Sequence, residues 1–278
     1  MTKKNTLPKV TAENYFESDI ETAYMSATQV KDFMRCEAAA LARLKGEYRP
    51  ATTAAMLVGS YVDAHFEGSL DVFTAQHPEL FKRDGTLKAE FFHANDVISR
   101  MEADELYSLL MSGQKQVVRT GEIAGVPFKV KIDSLLDGDT CAEIVRRFPN
   151  TAAVMGLCDG AIVDQKVMRG LEDVWDGEER AYAPFWRAWG YDVQGAVYQA
   201  VEGHLWPFIL AVGTKEDPPD LRAIHIRDEI LVSTLAEIED ALPRIVSVKE
   251  GREAPRRCER CAYCRATRKL TRIADAEE

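Results

Sequence analysis

The sequence predicts one mixed α/β domain of the α+β kind, a sheet flanked by helices. Three observations carry this. Helical periodicity dominates residues 26–111, β-branched alternation begins at Gln116, and short apolar strands then interleave with amphipathic segments. Residues 1–24 are polar and weakly patterned and read as an N-terminal arm that extends from the domain. Ser26 is a natural N-cap for a helix through Val30, Phe33 and Met34, and the alanine-rich stretch 38–42 continues it until Gly46. A second helix is expected over 53–67, with Met56, Val58, Tyr61, Val62 and Phe66 on its apolar side. The stretch 89–111 reads as a third.

The texture then changes. Val117-Val118-Arg119, Ile123 and the run 128–133 alternate and are β-branched, with turns at Gly121 and Gly125-Val126-Pro127. Residues 160–167 form another strand and 186–204 a helix. Residues 208–212 and 223–226 are strands, and 230–246 a helix. The expected order is helices, an antiparallel sheet, a helix, two strands and a helix. Residues 25–278 make a single domain, within which 252–272 is a basic cysteine-rich segment.

The chain has 278 residues, 46% of them hydrophobic and 29% charged, as in ordinary globular enzymes. No apolar run is long enough to span a bilayer, and Met1-Thr2-Lys3-Lys4-Asn5 lacks the apolar stretch of a signal peptide. A cytoplasmic protein with no membrane partner is expected. The net charge of -10 argues against a protein that coats nucleic acid by bulk phosphate neutralisation. The charge is uneven, however: Arg252, Arg256, Arg257, Arg260, Arg265, Arg268, Lys269 and Arg272 face only Glu253 and Glu259 in the same segment. An acidic body with a basic segment suits an enzyme that meets DNA locally and recruits cations. A solvated acidic face explains the body equally well.

Three short segments carry chemistry: Lys131-Ile132-Asp133, Ile162-Val163-Asp164-Gln165-Lys166, and Gln194-Gly195-Ala196-Val197-Tyr198. A phosphodiester repels hydroxide, so its hydrolysis needs an activated water and neutralised oxygens, which carboxylate-held Mg²⁺ or Mn²⁺ supplies. Asp133 and Asp164 each end an apolar strand run, so adjacent strands can point both at one ion, with the Gln165 carbonyl as a further oxygen ligand. Lys166 shares the strand parity of Asp164 and brings an ammonium to the same face. Gln194 and Tyr198 are four apart on one helical face. Taken alone, an Asp-x-Lys is often an ion pair at an exposed strand end, and a Gln-x-x-x-Tyr an ordinary helix edge. Their joint order is much harder to reach by chance.

In that order the segments resemble the PD-(D/E)XK nucleases, in particular the phage-type RecE-like exonucleases of the RecB-like group. The likeness extends from about Tyr24 to Leu270 and includes Met25-Ser26-Ala27-Thr28-Gln29, the run 57–63, Gly125-Val126-Pro127-Phe128-Lys129 and Gly190-Tyr191-Asp192-Val193-Gln194. It implies a restriction-endonuclease-like fold. It also implies Asp133, Asp164 and Lys166 as catalytic residues, with Gln194 and Tyr198 positioning DNA. The implied activity is 5′-to-3′ degradation of one strand at double-stranded DNA ends, feeding a single-strand annealing recombinase. Homo-oligomers occur among such enzymes.

The chain departs from the pattern twice. Where relatives carry a metal-binding His after Gly-[Ser/Thr]-x-x, this chain has Asp63 after Gly59-Ser60-Tyr61-Val62, with a His only at His65. Two helix positions differ by about 200°, so one of the two faces the ion, and register selects Asp63. The alternative is a solvated Asp63. The span from Asp133 to Asp164 is also long for a hairpin, so residues 137–160 are expected to be an insertion that puts the pairing of the two aspartates in question.

Six cysteines in a reducing compartment do not suggest a disulfide framework. Cys258, Cys261 and Cys264 have metal-ligand spacing. Structural zinc usually uses two separated pairs, whereas a close trio is like the start of an iron–sulfur run. The position of the usual fourth cysteine is Arg268, so the fourth ligand must come from elsewhere, and Cys36 is the leading candidate. Some relatives of this nuclease fold join an N-terminal cysteine to a C-terminal trio around a [4Fe–4S] cluster. That resemblance makes the cluster the first expectation, with zinc its rival and free thiols the third reading. Cys141 and Cys158 are expected to have no ligand role. Two other functions stay open: a non-catalytic DNA- or protein-binding module built on the basic segment, and an endonuclease or single-strand nuclease on the same fold.

Overall fold

The computed structural model describes residues 7–156, 158–176, 180–270 and 272–273. Residues 1–6 of the expected arm, and 271 and 274–278 of the C-terminal stretch, lie outside the described residues. Helices α1 (Ser18–Ala23), α2 (Ala27–Arg35), α3 (Glu37–Leu44), α4 (Ala54–Phe66), α5 (Leu70–Gln76), α6 (Ala89–Glu102) and α7 (Glu105–Leu110) precede strands β1 (Gln114–Ile123) and β2 (Val126–Asp137). Helices α8 (Gly138–Arg147) and α9 (Ala152–Met155) lie before β3 (Gly160–Met168). A hairpin of β4 (Val174–Asp176) and β5 (Ala181–Ala183) leads into α10 (Phe185–Ala188) and α11 (Tyr191–Glu202). Strands β6 (Phe208–Thr214) and β7 (Leu221–Ile226) and helices α12 (Asp228–Lys249) and α13 (Ala262–Ala266) follow.

Local chemistry sets the helix boundaries. Ser26 and Thr53 cap α2 and α4 by accepting the backbone N–H three residues on. The single helix expected over 89–111 is two, because Asp104 accepts the Tyr107 N–H and starts a new one. The helix expected from Ser26 to Gly46 is also interrupted. Cys36 is extended (φ -164°, ψ 102°), so α3 begins afresh and the Cys36 side chain is left at the break.

The main sheet has the order β1-β2-β3-β6-β7. It is not wholly antiparallel: β3 and β6 run parallel. The connection through α10 and α11 is long enough for a crossover, and a crossover allows two strands to point the same way. Residues of β3 and β6 alternate between two cores. Ile162, Phe208, Leu210 and Val212 pack with Val30, Phe33, Val197 and Leu231 of α2, α11 and α12. Ala161, Val163, Ile209 and Ala211 pack with Val58, Val62, Val97 and Met101 of α4 and α6. Burial on both faces explains why β6 carries no polar side chain from Phe208 to Gly213. A mixed sheet with helices on both faces is the restriction-endonuclease-like arrangement.

Two expectations change shape in the fold. The stretch 137–160 does hold an insertion, α8 and α9, yet Asp137 still pairs with Gly160 and Ser134 with Val163, so the insertion leaves the strand register intact. The described residues 7–24 of the N-terminal arm lie against the sheet. Tyr15 and Ile20 are buried, and the fully buried Lys129 ammonium bonds the Tyr15 carbonyl and pairs with Glu21 at 2.5 Å. An arm that hides a paired cation against β2 is part of the domain. No described helix is long and apolar enough to cross a membrane.

Candidate active site

The β2–β3 ladder stops at Ser134↔Val163, and the next residues in register are Asp133 and Asp164. In place of a ladder bond, the Asp133 carboxylate accepts the Gln165 N–H through Oδ2 at 3.0 Å. The sheet is therefore opened by its own acidic side chains, and a cleft of about 780 Å³ forms there. Asp63, Asp133, Asp164, Lys166, Gln194 and Tyr198 all line it.

Strand parity distributes the groups. Asp164 and Lys166 face α11, where Lys166 pairs with Asp164 Oδ2 and donates to the Gln165 carbonyl at 3.0 Å. Gln165 points its side chain the other way, donating to Asp63 of α4 at 3.1 Å and accepting from the Tyr107 hydroxyl at 3.3 Å. Asp63 thus joins the site through Gln165. His65 turns outward to Glu102 at 2.7 Å. On α11, Gln194 donates to Asp164 Oδ1 at 2.6 Å and to the Tyr198 hydroxyl at 3.2 Å, and Tyr198 donates to the Lys131 carbonyl at 2.9 Å. The Gln194 amide nitrogen and the Tyr198 hydroxyl are thus both engaged with the strands. Their hold on any ligand runs through Asp164 and β2.

The electrostatics fit a cation. Burial first, then the neighbouring Asp133 charge, pushes the Asp63 carboxyl up to about 7. Burial pushes Asp164 up to about 6 against the pull of Lys166. Burial would lower Lys166, but Asp164 and Asp133 outweigh it and hold the ammonium well above its ordinary value. Three carboxylates with one compensating lysine, hard oxygen donors throughout, suit Mg²⁺ or Mn²⁺. The amide oxygen of Gln116, buried beside Asp133, has no hydrogen-bond partner.

These shifts have a pH consequence. Both carboxyls have pKa values raised above the usual carboxylate range, so ionising them opposes folding. The stability this confers is complete below about pH 4 and is lost as pH rises through 6 and 7. The thermal midpoint of metal-free protein is expected to fall between pH 5 and pH 8, and Mg²⁺ to raise it more at pH 8. Asp63→Asn should flatten the fall. A metal-free midpoint equally pH-dependent in parent and variant would remove Asp63 from the account.

Several groups escaped the sequence reading. Lys31 of α2 and Lys166 both lie over the Tyr191 ring, at 5.9 and 5.5 Å from its centroid. Burial first, then Lys166, lowers the Lys31 ammonium. Tyr191 is three residues before Gln194 on the same helix, so the period of α11 held that signal. Arg43, Lys45 and Arg49 also line the cleft, with Arg43 paired to Asp32 at 2.8 Å. Their place on the rim follows from how α3 packs, which no local pattern records.

A second cluster forms where α3 begins. Cys36 meets Cys258, Cys261 and Cys264, with all four sulfurs within 4.8 Å of one another. Cys36 and Cys264 are 3.6 Å apart, Cys36 and Cys261 3.8 Å, and Cys258 and Cys264 4.0 Å. The Cys261 and Cys264 N–H groups donate to the preceding thiols, Cys258 and Cys261, at 3.3 and 3.4 Å. These cysteines are not disulfide-bonded. Cys141 and Cys158 lie away from them, packed in the α4–α6 core. The donor set suits a thiophilic metal.

Comparison with known proteins agrees with this geometry. Residues 26–144 and 154–267 match a family described as a PDDEXK-like domain of unknown function (DUF3799), and the unmatched gap falls inside the α8–α9 insertion. A crystal structure described as a putative exonuclease from Eubacterium rectale superposes with a TM-score of 0.84 at 40% identity, covering 96% of this chain and 97% of that one. Curated proteins yield no match.

Proposed function

Because the chain belongs to this PDDEXK-like family, we infer that it is a divalent-metal-dependent DNA exonuclease acting on linear duplex, 5′ to 3′, in recombination alongside a single-strand annealing protein. The observation that carries the nuclease reading is the convergence of Asp63, Asp133, Asp164 and Lys166 in an opened sheet. Polarity, end-dependence and the annealing partner rest on the sequence resemblance.

Asp63, Asp133, Asp164 and the Gln165 carbonyl would hold Mg²⁺ or Mn²⁺, which when bound neutralises phosphate charge and supplies an activated water. Lys166, held protonated by its carboxylate neighbours, stabilises negative charge as it develops on the phosphate oxygens. Gln194 fixes the rotamer of Asp164, and Tyr198 ties α11 to β2. Arg43, Lys45 and Arg49 line the same cleft as the carboxylates and suit the phosphates of an incoming strand.

The cysteine cluster would be a second, structural metal centre. Zn–S bonds of about 2.3 Å give a tetrahedron with edges of about 3.8 Å, close to the separations of 3.6, 3.8 and 4.0 Å. A [4Fe–4S] core puts each thiolate on a different iron and spreads the sulfurs farther apart. The spacing favours zinc over the iron–sulfur cluster.

The test of the nuclease is digestion of end-labelled linear duplex and of covalently closed circles with Mg²⁺. Loss of the linear substrate from its 5′ ends with the circle untouched is expected. A nicked circle makes the enzyme an endonuclease. No digestion with Mg²⁺ or Mn²⁺ leaves a binding module.

A further inference from the structure

Four non-glycine residues have positive φ among those described: Gln116, Ala124, Arg180 and Glu259. Ala124 is in the β1–β2 turn with Gly125, while Arg180 and Glu259 lie outside strands and helices, where such geometry is ordinary. Gln116 is different. It lies inside β1 with φ 53°, between Lys115↔Ser134 and Val117↔Ile132, so it stands opposite Asp133. A left-handed glutamine in mid-strand is strained, and strain of this kind persists where something else holds or uses the side chain.

Within the protein, little holds it. Its Nε2 reaches Asp133 Oδ1 only at 3.5 Å, the limit of a hydrogen bond, and its Oε1 is buried without a partner. A buried amide oxygen left unpaired is costly. The other oxygen of Asp133, Oδ2, is taken by the Gln165 N–H, so Oδ1 and the Gln116 amide border the same side of the carboxylate. Its two ends are interchangeable by rotation about the last side-chain bond.

We propose that Gln116 is a further ligand of the cation site, supplying a neutral amide oxygen beside Asp133 to the bound ion. This rests on the reading of the carboxylate cluster as a divalent-metal site. A neutral oxygen next to three carboxylates adds coordination without further anionic repulsion, which suits a hard cation. The strained backbone is then the conformation that brings the amide to Asp133.

The experiment measures Mn²⁺ binding by titration calorimetry and thermal unfolding without metal, for the parent and for Gln116→Gly and Gln116→Glu. Glycine adopts φ 53° freely, so Gln116→Gly should unfold at a higher temperature than the parent yet bind Mn²⁺ about tenfold more weakly, losing one ligand. Gln116→Glu keeps an oxygen donor and should bind Mn²⁺ at least as tightly as the parent. Parent-like Mn²⁺ affinity in Gln116→Gly overturns the proposal, and so does a loss of stability there, which would make the side chain a structural prop. A parent that takes up no Mn²⁺ overturns it together with the metal-site reading. A parent that binds Mn²⁺ but digests no DNA defeats only the nuclease assignment.

Discussion

Lys166→Ala is expected to fold, to keep its divalent cation, and to lose cleavage by about 10²- to 10³-fold, the range for removing one group that stabilises transition-state charge. The split follows from the geometry. Lys166 touches Asp164 and the Gln165 carbonyl but donates no ligand oxygen, so its removal strips positive charge from a cluster of carboxylates and leaves the cation more strongly attracted. Asp164→Asn should behave otherwise. It weakens cation binding as well as cleavage, because it removes a carboxylate from the cluster and the closest partner of the Lys166 ammonium. Calorimetric Mn²⁺ binding alongside initial rates on linear duplex separates the two variants. Parent-like rates in Lys166→Ala would remove the lysine from the chemistry.

The second large effect concerns the thiolate cluster. Cys36 and Cys264 are 228 positions apart, so a metal bound by both closes almost the whole chain into a loop. Cross-links over loops of a hundred residues or more contribute about 4–5 kcal/mol by restricting the unfolded state. Cys36→Ser should therefore lose the metal and lower the thermal midpoint by roughly 10 °C, given about 2–4 °C per kcal/mol for a chain of this size. Anaerobically purified parent should contain one zinc per chain, no acid-labile sulfide, and no iron–sulfur absorption in the visible. Iron with acid-labile sulfide would restore the cluster reading, and a metal-free parent as stable as the metal-loaded one would leave only thiols. The cluster also bears on the cleft: Cys36 starts α3, and beyond the far end of α3 lie Lys45 and Arg49 on the rim.

Much of the site was legible because it sits on short periods. Asp164 and Lys166 share a face by strand parity, and Gln194 and Tyr198 share one by helical period. Both relations are local and survive in the fold. Helical rotation likewise separates Asp63 from His65, and in the structure Asp63 lines the cleft while His65 turns out to Glu102. Gln116 was legible only as a residue of the strand leading toward Asp133, where it reads as structural. Its significance depends on a left-handed φ and an unpaired oxygen, and neither leaves a mark in an alternating strand pattern. Lys31, Arg43, Lys45 and Arg49 reach the cleft through the packing of α2 and α3, which depends on contacts distant in sequence.

Residue order by itself determined the strands and helices that bear the chemistry, the parity that pairs Asp164 with Lys166, and the thiol trio near the C-terminus. These are consequences of backbone geometry over a few residues. The tertiary structure alone decided that β3 runs parallel to β6, that the α8–α9 insertion leaves Asp133 in register with Asp164, and that Tyr15 and Glu21 of the polar arm meet Lys129 of β2. It also decided that Cys36 meets the trio, with all four sulfurs within 4.8 Å of one another. Each of these is a contact between segments far apart in the chain, selected by burial and charge pairing that no local pattern encodes.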